Sequence, residues 1–501
     1  MVSFDIIIQR RLCFYFSHNV SYIFEEVITL TEAKEKVKKE ITIIGGGVGG
    51  YVAAIKAAQM GADVALIEKE NIGGVCLNRG CIPTKAMVRS AEVYDNINEA
   101  KQFGLDIDKD AVSVDMKKVV KRKDRVVRRL VKGVEHLLKS HDVEIIEGEA
   151  ELVDEETIFV NSEDNDLEVK SENIIIATGS KVSQIPIEGI DLPGVIDSNQ
   201  ALELDELPEK MVIVGGGYIG MEFAFIYANF GVEVTVVEFL DEILGNCGPD
   251  MCKEIHRSAR RKGINILTGS KVEKIREEND ELVVEYTKDE EKNEVKGNKV
   301  LMAVGREPYF EGLGINKIGI ELDENERGIK VNKKMETNIP NIYAIGDVTD
   351  EIQLAHVASH QGMIAVKNIL GKEVEMDYDV VPSAIFTSPE IANVGLDPEQ
   401  AEEKGIDFKT GYFPFRANGK ALAQGERQGF IKLIQEKNSG KIIGGKIIGT
   451  HASDLISEVT LAIKNELTAE DIAETIHTHP TTAEVIHEAA LDLAEESIHY
   501  A

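Results

Sequence analysis

Residues 41–70 read ITIIGGGVGGYVAAIKAAQMGADVALIEKE and contain the pattern that decides the fold. An apolar run ends in a G-x-G-x-x-G turn made by Gly45, Gly47 and Gly50, and a second apolar run ends at Glu68. In such a unit the first glycine permits a tight turn, the second lets the backbone approach a pyrophosphate, and the third lets the helix pack closely on the strand. A carboxylate at the end of the second strand can accept hydrogen bonds from ribose hydroxyls. The segment therefore predicts a dinucleotide-binding unit.

The same pattern returns 170 residues later, in MVIVGGGYIGMEFAFIYANFGVEVTVVEFL at residues 211–240. Gly215, Gly217 and Gly220 form the turn, and Glu238 ends the second strand. The duplication, in the right strand context, predicts two bound dinucleotides. Glu238 would repel a 2′-phosphate and no arginine follows it directly, so the second site favours NAD over NADP.

These repeats predict an α/β protein with two Rossmann-like dinucleotide-binding domains. In the C-terminal part, short alternating segments such as GFIKLIQ and GKIIGGKIIG precede helical ones, which predicts an α+β domain without a nucleotide pattern. The predicted division is an extension at 1–40, a first nucleotide-binding domain at 41–180 and 306–380, a second at 181–305, and the α+β domain at 381–501.

The predicted extension has two distinct parts. RRLCFYFSHNVSYIF suggests a signal peptide, but polar residues interrupt its apolar run and no small-residue cleavage site follows. TEAKEKVKKE, at residues 31–40, is typical of a solvated helix leading into the first strand. We therefore expect an extension rather than an export signal, and a cytoplasmic protein.

The composition limits the partners. The 88 acidic and 56 basic residues give a formal net charge of −32. Nucleic acids and anionic membranes are bound through basic patches, so neither partner is expected. No stretch approaches the roughly 20 apolar residues that span a bilayer. Five cysteines in 501 residues do not make a disulfide scaffold.

The stretch GGVCLNRGCIPTKAM, residues 73–87, carries Cys76 and Cys81. Their C-x4-C spacing is poor for zinc and no second pair of ligands accompanies it, so no metal site is predicted. Two inert buried thiols are an alternative, because free cysteine is often buried. A redox pair explains more, since Cys81 would begin a helix whose dipole favours a thiolate and Lys85 adds a positive charge one turn later.

A second C-x4-C pair, Cys247 and Cys252, follows the second nucleotide pattern in NCGPDMC. Spacing without a cofactor nearby is weak evidence for chemistry. We interpret this pair as incidental, and Cys13 of the extension has no predicted role.

The segment around Cys76 and Cys81 resembles the active-site segment of the flavoprotein disulfide reductases, and most closely the branch of that family that oxidises dihydrolipoyl groups. Further motifs carry the resemblance from about residue 41 to 495, namely ATGS, AIGDV, LAHVASHQG and HTHPTTAE. The resemblance implies FAD at the first glycine turn and NAD at the second. It also implies that Cys76 exchanges with a dithiol substrate, that Cys81 faces the flavin, and that NAD accepts the electrons of protein-bound dihydrolipoamide.

The same resemblance implies a catalytic base. His479 would take the thiol proton and Glu484 would hold its ring, whereas His477 is the competing histidine of the motif. In this family the pair reaches the cysteines of the other subunit, which implies a homodimer built through residues 381–501. The implied partner is a lipoyl-carrying protein of a 2-oxo acid dehydrogenase or glycine cleavage type of complex.

The resemblance assigns further positions to each nucleotide. The positions implied for FAD are Gly45, Gly47, Gly50, Glu68, Lys85, Ala150, Ala177, Thr178, Gly179, Ser180, Asp347, Ala355 and His356. The positions implied for NAD are Gly215, Gly217, Tyr218, Gly220, Glu238, Val272 and Gly305. Tyr218 stands where the family often has a residue that gates the nicotinamide. Glu222 stands where a carboxylate pairs with Lys85 near the flavin.

Two other functions remain open at this point. The first is an NAD(P)H-dependent reductase of another small disulfide, against which Glu238 argues because those relatives usually take NADP. The second is a flavoprotein that serves as a structural subunit with an idle thiol loop. That function predicts a broken motif, whereas the redox and base positions are all present.

Overall fold

The computed structural model describes residues 35–162 and 166–500. Its first sheet has seven strands and carries the first glycine turn. The elements of this part, in chain order, are β1 (Glu35–Ile44), α1 (Val48–Gln59), β2 (Val64–Glu68), α2 (Gly74–Arg79), α3 (Cys81–Glu99), α4 (Met116–Ser140), β3 (Glu144–Glu147), β4 (Glu149–Leu152), β5 (Thr157–Asn161) and β6 (Leu167–Ile176). The strand order is β3-β2-β1-β6-β5-β4. β1, β2, β3 and β6 are parallel to one another, whereas β5 is antiparallel to both of its neighbours, β6 and β4.

The first strand corrects the predicted start of the domain. β1 begins at Glu35, so the prediction of an extension up to residue 40 and of a solvated helix at its end is wrong from Glu35 onward. Residues 35–39 pair in parallel with 167–171, and Lys36 Nζ lies 3.0 Å from a carboxylate oxygen of Glu168. Pairing with a strand far away in sequence therefore makes residues 35–39 a strand rather than a helix. The other residues of the predicted extension lie outside the described residues.

The second glycine turn lies on a sheet of the same design. The elements are β7 (Ser180–Val182), β8 (Val195–Ile196), α5 (Ser198–Ala201), β9 (Lys210–Val214), α6 (Tyr218–Asn229), β10 (Glu233–Val237), α7 (Pro249–Arg261), β11 (Asn265–Leu267), β12 (Lys271–Glu278), β13 (Glu281–Lys288), β14 (Glu291–Gly297) and β15 (Lys299–Met302). Five parallel strands follow the order β11-β10-β9-β15-β8, and β12-β13-β14 form an antiparallel sheet beside them. The repeat in the sequence is therefore also a repeat in strand order.

The chain then returns to the first sheet. The elements of the return are β16 (Arg306–Pro308), α8 (Ile315–Ile318), β17 (Ile342–Ala344) and α9 (Ala355–Ile369). β16 pairs with β7, and β17 pairs in parallel with the last residues of β6. As a result the ends of β1, β2, β6 and β17 meet at one edge of the first sheet.

The C-terminal part is α+β, as predicted. Its elements are β18 (Ser383–Ile385), β19 (Glu390–Gly395), α10 (Pro398–Glu403), β20 (Phe408–Pro414), α11 (Gly419–Gln424), β21 (Phe430–Glu436), β22 (Ile442–Gly449), α12 (Ala452–Lys464), α13 (Ala469–Glu474) and α14 (Glu484–Leu493). The five strands are antiparallel in the order β18-β19-β22-β21-β20. The predicted fold class is confirmed.

One apolar core joins the second glycine turn to the rest of the chain. Phe223 on α6 shares a core with Met87 on α3, and Ile391 and Phe430 of the C-terminal sheet belong to the same core. α6 is apolar on nearly all sides because it is covered from several directions. None of the helices that the structure describes is long and apolar enough to cross a bilayer.

Candidate active site

The first glycine turn accepts only glycine at two positions. Gly45 has φ +108°, and a Cβ there would lie 2.3 Å from the carbonyl oxygen of Ala177. A Cβ at Gly50 would lie 1.8 Å from the carbonyl oxygen of Gly45, so helix α1 can pack on the turn only without a side chain. A Cβ at Gly47 would meet no atom within 4 Å, which leaves open space before the helix N-terminus.

The acid at the end of β2, Glu68, accepts hydrogen bonds from nearby backbone N–H groups. One carboxylate oxygen of Glu68 accepts from the N–H of Gly46 at 2.7 Å, and the other accepts from the N–H of Glu70 at 2.7 Å. Each oxygen keeps a further lone pair for another donor. The carboxylate therefore fixes the glycine turn and still offers acceptors at the edge of the sheet.

The second turn repeats this geometry closely. Gly215 has φ +109°, and a Cβ at Gly220 would lie 1.9 Å from the carbonyl oxygen of Gly215. Glu238, which is 8% exposed, accepts from the N–H of Gly216 at 2.5 Å and from that of Leu240 at 2.7 Å. The two turns share one set of backbone contacts, with each acid in the same role.

A cavity of about 660 Å³ opens at the second turn. The predicted NAD positions that line it are Gly215, Gly217, Tyr218, Glu238, Val272 and Gly305. Tyr218 is 46% exposed at the start of α6, where a side chain can cover part of the cavity. Gly220 lies beneath the turn, and Glu222 is directed towards Lys85 instead.

Beside the first turn, three polar residues form a chain of hydrogen bonds. The Ser180 hydroxyl donates to Asp347 at 2.5 Å, and Arg306 donates from Nε to that hydroxyl at 2.9 Å. A second Arg306 nitrogen donates to the Ser180 carbonyl at 2.6 Å. Arg306 was not predicted, and its only signal in the sequence was its place directly after Gly305.

The other positions assigned to FAD are more dispersed. Gly179 has φ +73° with open space where a Cβ would lie, whereas the Thr178 hydroxyl is buried without a partner in the described residues. Ala150 is buried on β4. Ala355 begins α9, and the next residue, His356, donates to the carbonyl of Pro382 at 2.8 Å. His356 therefore contacts the backbone of the residue that directly precedes the first strand of the C-terminal sheet.

A residue to which the sequence analysis assigns no role, Gln361, holds the Asp347 loop. Gln361 is fully buried, and its side-chain oxygen accepts from the N–H of Gly346 at 2.7 Å. Its amide donates to the Tyr378 hydroxyl at 2.8 Å. Nothing in the local sequence indicates this role, because both partners lie in other segments.

Cys76 and Cys81 lie on either side of a helix break. Cys76 is on α2, Gly80 has φ −135° and ψ −115°, and Cys81 is the first residue of α3. Both are free thiols, with Cys76 half-buried and Cys81 exposed. A hydrogen bond between the two side chains raises the pKa of Cys76 and lowers the pKa of Cys81 to about 7. Burial opposes the fall in the pKa of Cys81, and the positive charge of Lys85 assists it. The negative charge of the pair therefore resides on Cys81.

One turn further along α3, Lys85 is held by a buried carboxylate. Its Nζ lies 2.8 and 2.9 Å from the two oxygens of Glu222, which is 6% exposed. The N–H of Phe386 donates to Glu222 at 3.0 Å, and the Phe386 ring lies 4.1 Å from Lys85 Nζ. Phe386 was not predicted, since no local pattern indicates a contact with α3.

The C-terminal histidine and its acid form the predicted pair. Nδ1 of His479 lies 2.8 Å from Glu484 Oε1, and Glu484 Oε2 accepts from the N–H of Thr481 at 2.8 Å. The His479 side chain is 78% exposed, so its Nε2 is free to meet a substrate. Within the described part of a single chain, no hydrogen bond joins His479 to Cys76 or Cys81.

The competing histidine is engaged at both nitrogens. His477 Nε2 lies 2.9 Å from Glu458, and Nδ1 lies 2.8 Å from the carbonyl of Thr475. Its side chain is only 7% exposed. The hydrogen bond to Glu458 raises the pKa of His477. These contacts favour His479 as the base.

The second thiol pair lies in an apolar environment. Cys247 and Cys252 are both buried in the core that contains α6. Burial raises the pKa of Cys247 to about 11 and that of Cys252 to about 12. Thiols with such pKa values are poor nucleophiles, consistent with an incidental pair.

The residues present fit two dinucleotides. Gly47 and Gly217 both leave open space where a side chain would project, so that a phosphate group can approach the backbone at each helix N-terminus. Gly305 has φ +108° and the same clearance at the rim of the second site. The fit at the second site is the more complete, since a cavity connects the turn to the acid.

Comparison with known proteins gives consistent matches. The dihydrolipoyl dehydrogenase of Chlamydia muridarum is 44% identical over 465 residues, which cover 92% of this chain and 98% of the relative. That of Bacillus subtilis is 42% identical over 474 residues, covering 92% and 99%. Among solved structures, LpdA from Mycobacterium tuberculosis has a TM-score of 0.85 at 28% identity, covering 91% of this chain and 99% of that one. The flavoprotein disulfide reductase RclA from Escherichia coli has a TM-score of 0.81 at 30% identity, covering 90% and 99%.

The family comparison spans both parts of the fold. Residues 39–362, which include both glycine turns and the thiol pair, match the family described as pyridine nucleotide-disulphide oxidoreductase. Residues 381–490 match the dimerisation domain of the same family. The chain therefore belongs to the pyridine nucleotide-disulphide oxidoreductase family.

Proposed function

We propose that this chain is a dihydrolipoyl dehydrogenase, which oxidises the dihydrolipoyl group of a carrier protein and reduces NAD. The observation that carries the proposal is the placement of the thiol pair, with Cys76 on α2 and Cys81 at the start of α3, one turn before Lys85. Contact with Cys76 and the charge of Lys85 lower the pKa of Cys81 to about 7. Relatives of 42–44% identity over nearly the whole chain bear this name. The enzyme uses FAD and NAD.

The thiol exchange follows from these residues. His479 takes the proton of one substrate thiol at Nε2, while Glu484 holds Nδ1 and stabilises the resulting imidazolium. The substrate thiolate attacks Cys76 Sγ of the oxidised pair, the Cys76–Cys81 bond breaks, and Cys81 leaves as a thiolate. The second substrate thiol then attacks the substrate sulfur of the mixed disulfide, and its proton passes to the Cys76 sulfur as the bond to Cys76 breaks. This releases the substrate disulfide and returns Cys76 as a thiol, so two electrons have passed to the pair.

The rest of the site serves the same exchange. FAD, when bound at the first turn, supplies the two-electron transfer between the reduced thiols and NAD. Gly45, Gly47, Gly50 and Glu68 would hold it, with the Ser180–Asp347 group beside them. Lys85 keeps a positive charge one turn from Cys81, which favours the thiolate.

The second site selects the acceptor. Gly215, Gly217, Gly220 and Glu238 would hold NAD in the cavity of about 660 Å³. Both carboxylate oxygens of Glu238 are fixed by backbone N–H groups, so the negative charge cannot turn away from a 2′-phosphate. NAD is therefore the expected acceptor rather than NADP.

The proposal includes a partner and an assembly. The dimerisation domain at 381–490 supports a homodimer, in which His479 and Glu484 of each subunit serve the cysteines of the other. This arrangement accounts for an exposed base that makes no hydrogen bond to Cys76 or Cys81 in the described part of its own chain. The substrate is the lipoyl group of a multienzyme complex, and the acidic, cysteine-poor composition favours work in the cytoplasm.

The test is an anaerobic titration of the FAD-loaded protein with dihydrolipoamide. We expect long-wavelength absorbance from the Cys81 thiolate beside the flavin, which NAD discharges. His479→Gln should slow the dihydrolipoamide step by roughly 10²- to 10⁴-fold, while NADH still reduces an artificial acceptor at the normal rate. Full reduction by NADH with no response to dihydrolipoamide would refute the proposal, as would a clear preference for NADPH and another disulfide.

A further inference from the structure

Helix α4 has a charge opposite to that of the rest of the chain. Its 25 residues, MKKVVKRKDRVVRRLVKGVEHLLKS, carry ten Lys and Arg and two Asp and Glu. Removing them from the totals of 56 and 88 leaves 46 basic and 86 acidic residues elsewhere. The average over the whole sequence, on which the expectation of no nucleic-acid or anionic-membrane partner was based, conceals this local basic segment.

Part of that charge has a structural use. Lys123 is buried and makes ion pairs with Asp124 and Glu203, and Arg122 donates to the carbonyl of Ala86 at 2.9 Å. Near the start of the helix, Lys118 lies 3.0 Å from Asp115 and Lys117 lies 3.9 Å from Asp205. Lys123 and Arg122 anchor α4 to its surroundings, whereas Lys117 and Lys118 are exposed and paired with nearby carboxylates.

The remaining cations form one exposed stripe, which we call the α4 basic stripe. Its members are Lys121, Arg125, Arg128, Arg129, Lys132 and Lys139. They recur at spacings of three, four and seven residues, which places them on one side of a helix. Within the described residues, none of the six makes an ion pair. The stripe extends over about 27 Å, at about 1.5 Å per residue.

The stripe costs the helix stability on its own. Lys121 and Arg125, Arg125 and Arg129, and Arg128 and Lys132 are like charges four residues apart, which repel each other in a helix. The buried side of α4, which includes Val134 and Leu138, already supplies its packing. Neither packing nor local charge pairing therefore accounts for six cations on the outer side.

We propose that the α4 basic stripe is a docking surface for a linear acidic segment of another protein. The stripe is one helix wide, about 10–12 Å, so it matches a single extended or helical acidic segment. A nucleic acid duplex or a membrane is broader than one helix, and outside α4 it would meet a chain with 86 acidic and 46 basic residues. A local positive stripe in an otherwise negative field also orients an acidic partner as it approaches. The proposal does not depend on the reaction proposed above.

The test uses the FAD-loaded full-length protein and a fluorescein-labelled peptide of about twelve glutamates, a length of about 18 Å if helical. The stripe variant is K121Q/R125Q/R129Q/K132Q. The matched control, K253Q/K292Q/K330Q/K404Q, removes four exposed lysines that make no ion pair in the described residues and lie in four separate segments. Flavin absorbance and the rate of NADH oxidation should be normal in both, which shows that both are folded.

We expect the peptide to bind the wild type and the control within about threefold, and the stripe variant about tenfold or more weakly, by fluorescence anisotropy. The difference should shrink at higher salt, because exposed charges are screened. Equal weakening in both variants, or no binding to the wild type, would overturn the proposal. Tighter binding of a DNA duplex or of phosphatidylglycerol vesicles through the same four residues would also overturn it. Loss of an oligomer in the stripe variant, measured by sedimentation, would overturn it as well, because the partner would then be a second copy of this chain.

Discussion

The pKa of the Cys81 thiol should depend first on the hydrogen bond from Cys76. In the structure this bond is the largest cause of the fall to about 7, ahead of the charge of Lys85. Cys76→Ala removes the donor, whereas Cys76→Ser keeps a hydroxyl donor of similar size at the same place. Because neither variant can form the disulfide, Cys81 can be titrated without reduction. The pair of variants therefore isolates one hydrogen bond.

The expected change follows from the strength of such a bond. A hydrogen bond to a charged acceptor contributes about 1.5–3 kcal/mol, or roughly one to two pKa units. Cys81 is exposed, so water replaces part of the lost donor and we expect a rise of about one unit. At about pH 7 the thiolate fraction should then fall from about half to about a tenth in Cys76→Ala.

The assay is the rate of alkylation by iodoacetamide across pH, with peptide mapping to locate the label. Cys247 and Cys252 should not interfere, because both are buried and have pKa values of about 11 and about 12. Cys76→Ala should react roughly fivefold more slowly than Cys76→Ser at about pH 7, and the rates should converge at high pH. Identical pH profiles for the two variants would refute the reasoning and leave Lys85 as the cause of the low pKa.

Two further predictions concern the nucleotide site and the competing histidine. Gly220→Ala would place a Cβ 1.9 Å from the carbonyl oxygen of Gly215 and should abolish NAD binding. Gly217→Ala meets no atom within 4 Å, so it should keep the fold and raise the KM for NAD by about tenfold; normal NAD kinetics in both variants would contradict the assignment. The hydrogen bond to Glu458 raises the pKa of His477. The charged His477 therefore stabilises the folded protein fully below the ordinary pKa of 6.5, and this stabilisation is lost as pH rises through the pKa that His477 has in the folded protein. By calorimetry His477→Gln should therefore destabilise the protein by about 1 kcal/mol at about pH 6 and by less at about pH 9, whereas equal losses would contradict this account.

The parts of the site that the sequence predicts are those whose chemistry lies within one short segment. The glycine turns were predictable because Gly45 needs a positive φ and Gly50 needs the absence of a side chain, and both requirements act on the residue itself. Arg306 and Phe386 were missed because their partners lie in distant segments. The strand at 35–40 was missed for the same reason, since its partner at 167–171 lies more than a hundred residues away.

The placement of Glu222 explains why the thiol site needs the whole fold. Helix α6 begins at the second glycine turn with Tyr218, and one turn later it presents Glu222 to Lys85 of α3. The same carboxylate accepts from the N–H of Phe386, which belongs to the C-terminal part. A single buried acid thus fixes the acceptor site, the thiol helix and the C-terminal part relative to one another. Because a buried carboxylate without its cation is strongly destabilising, loss of the contact between Glu222 and Lys85 would disturb the thiol helix as well as the acceptor site.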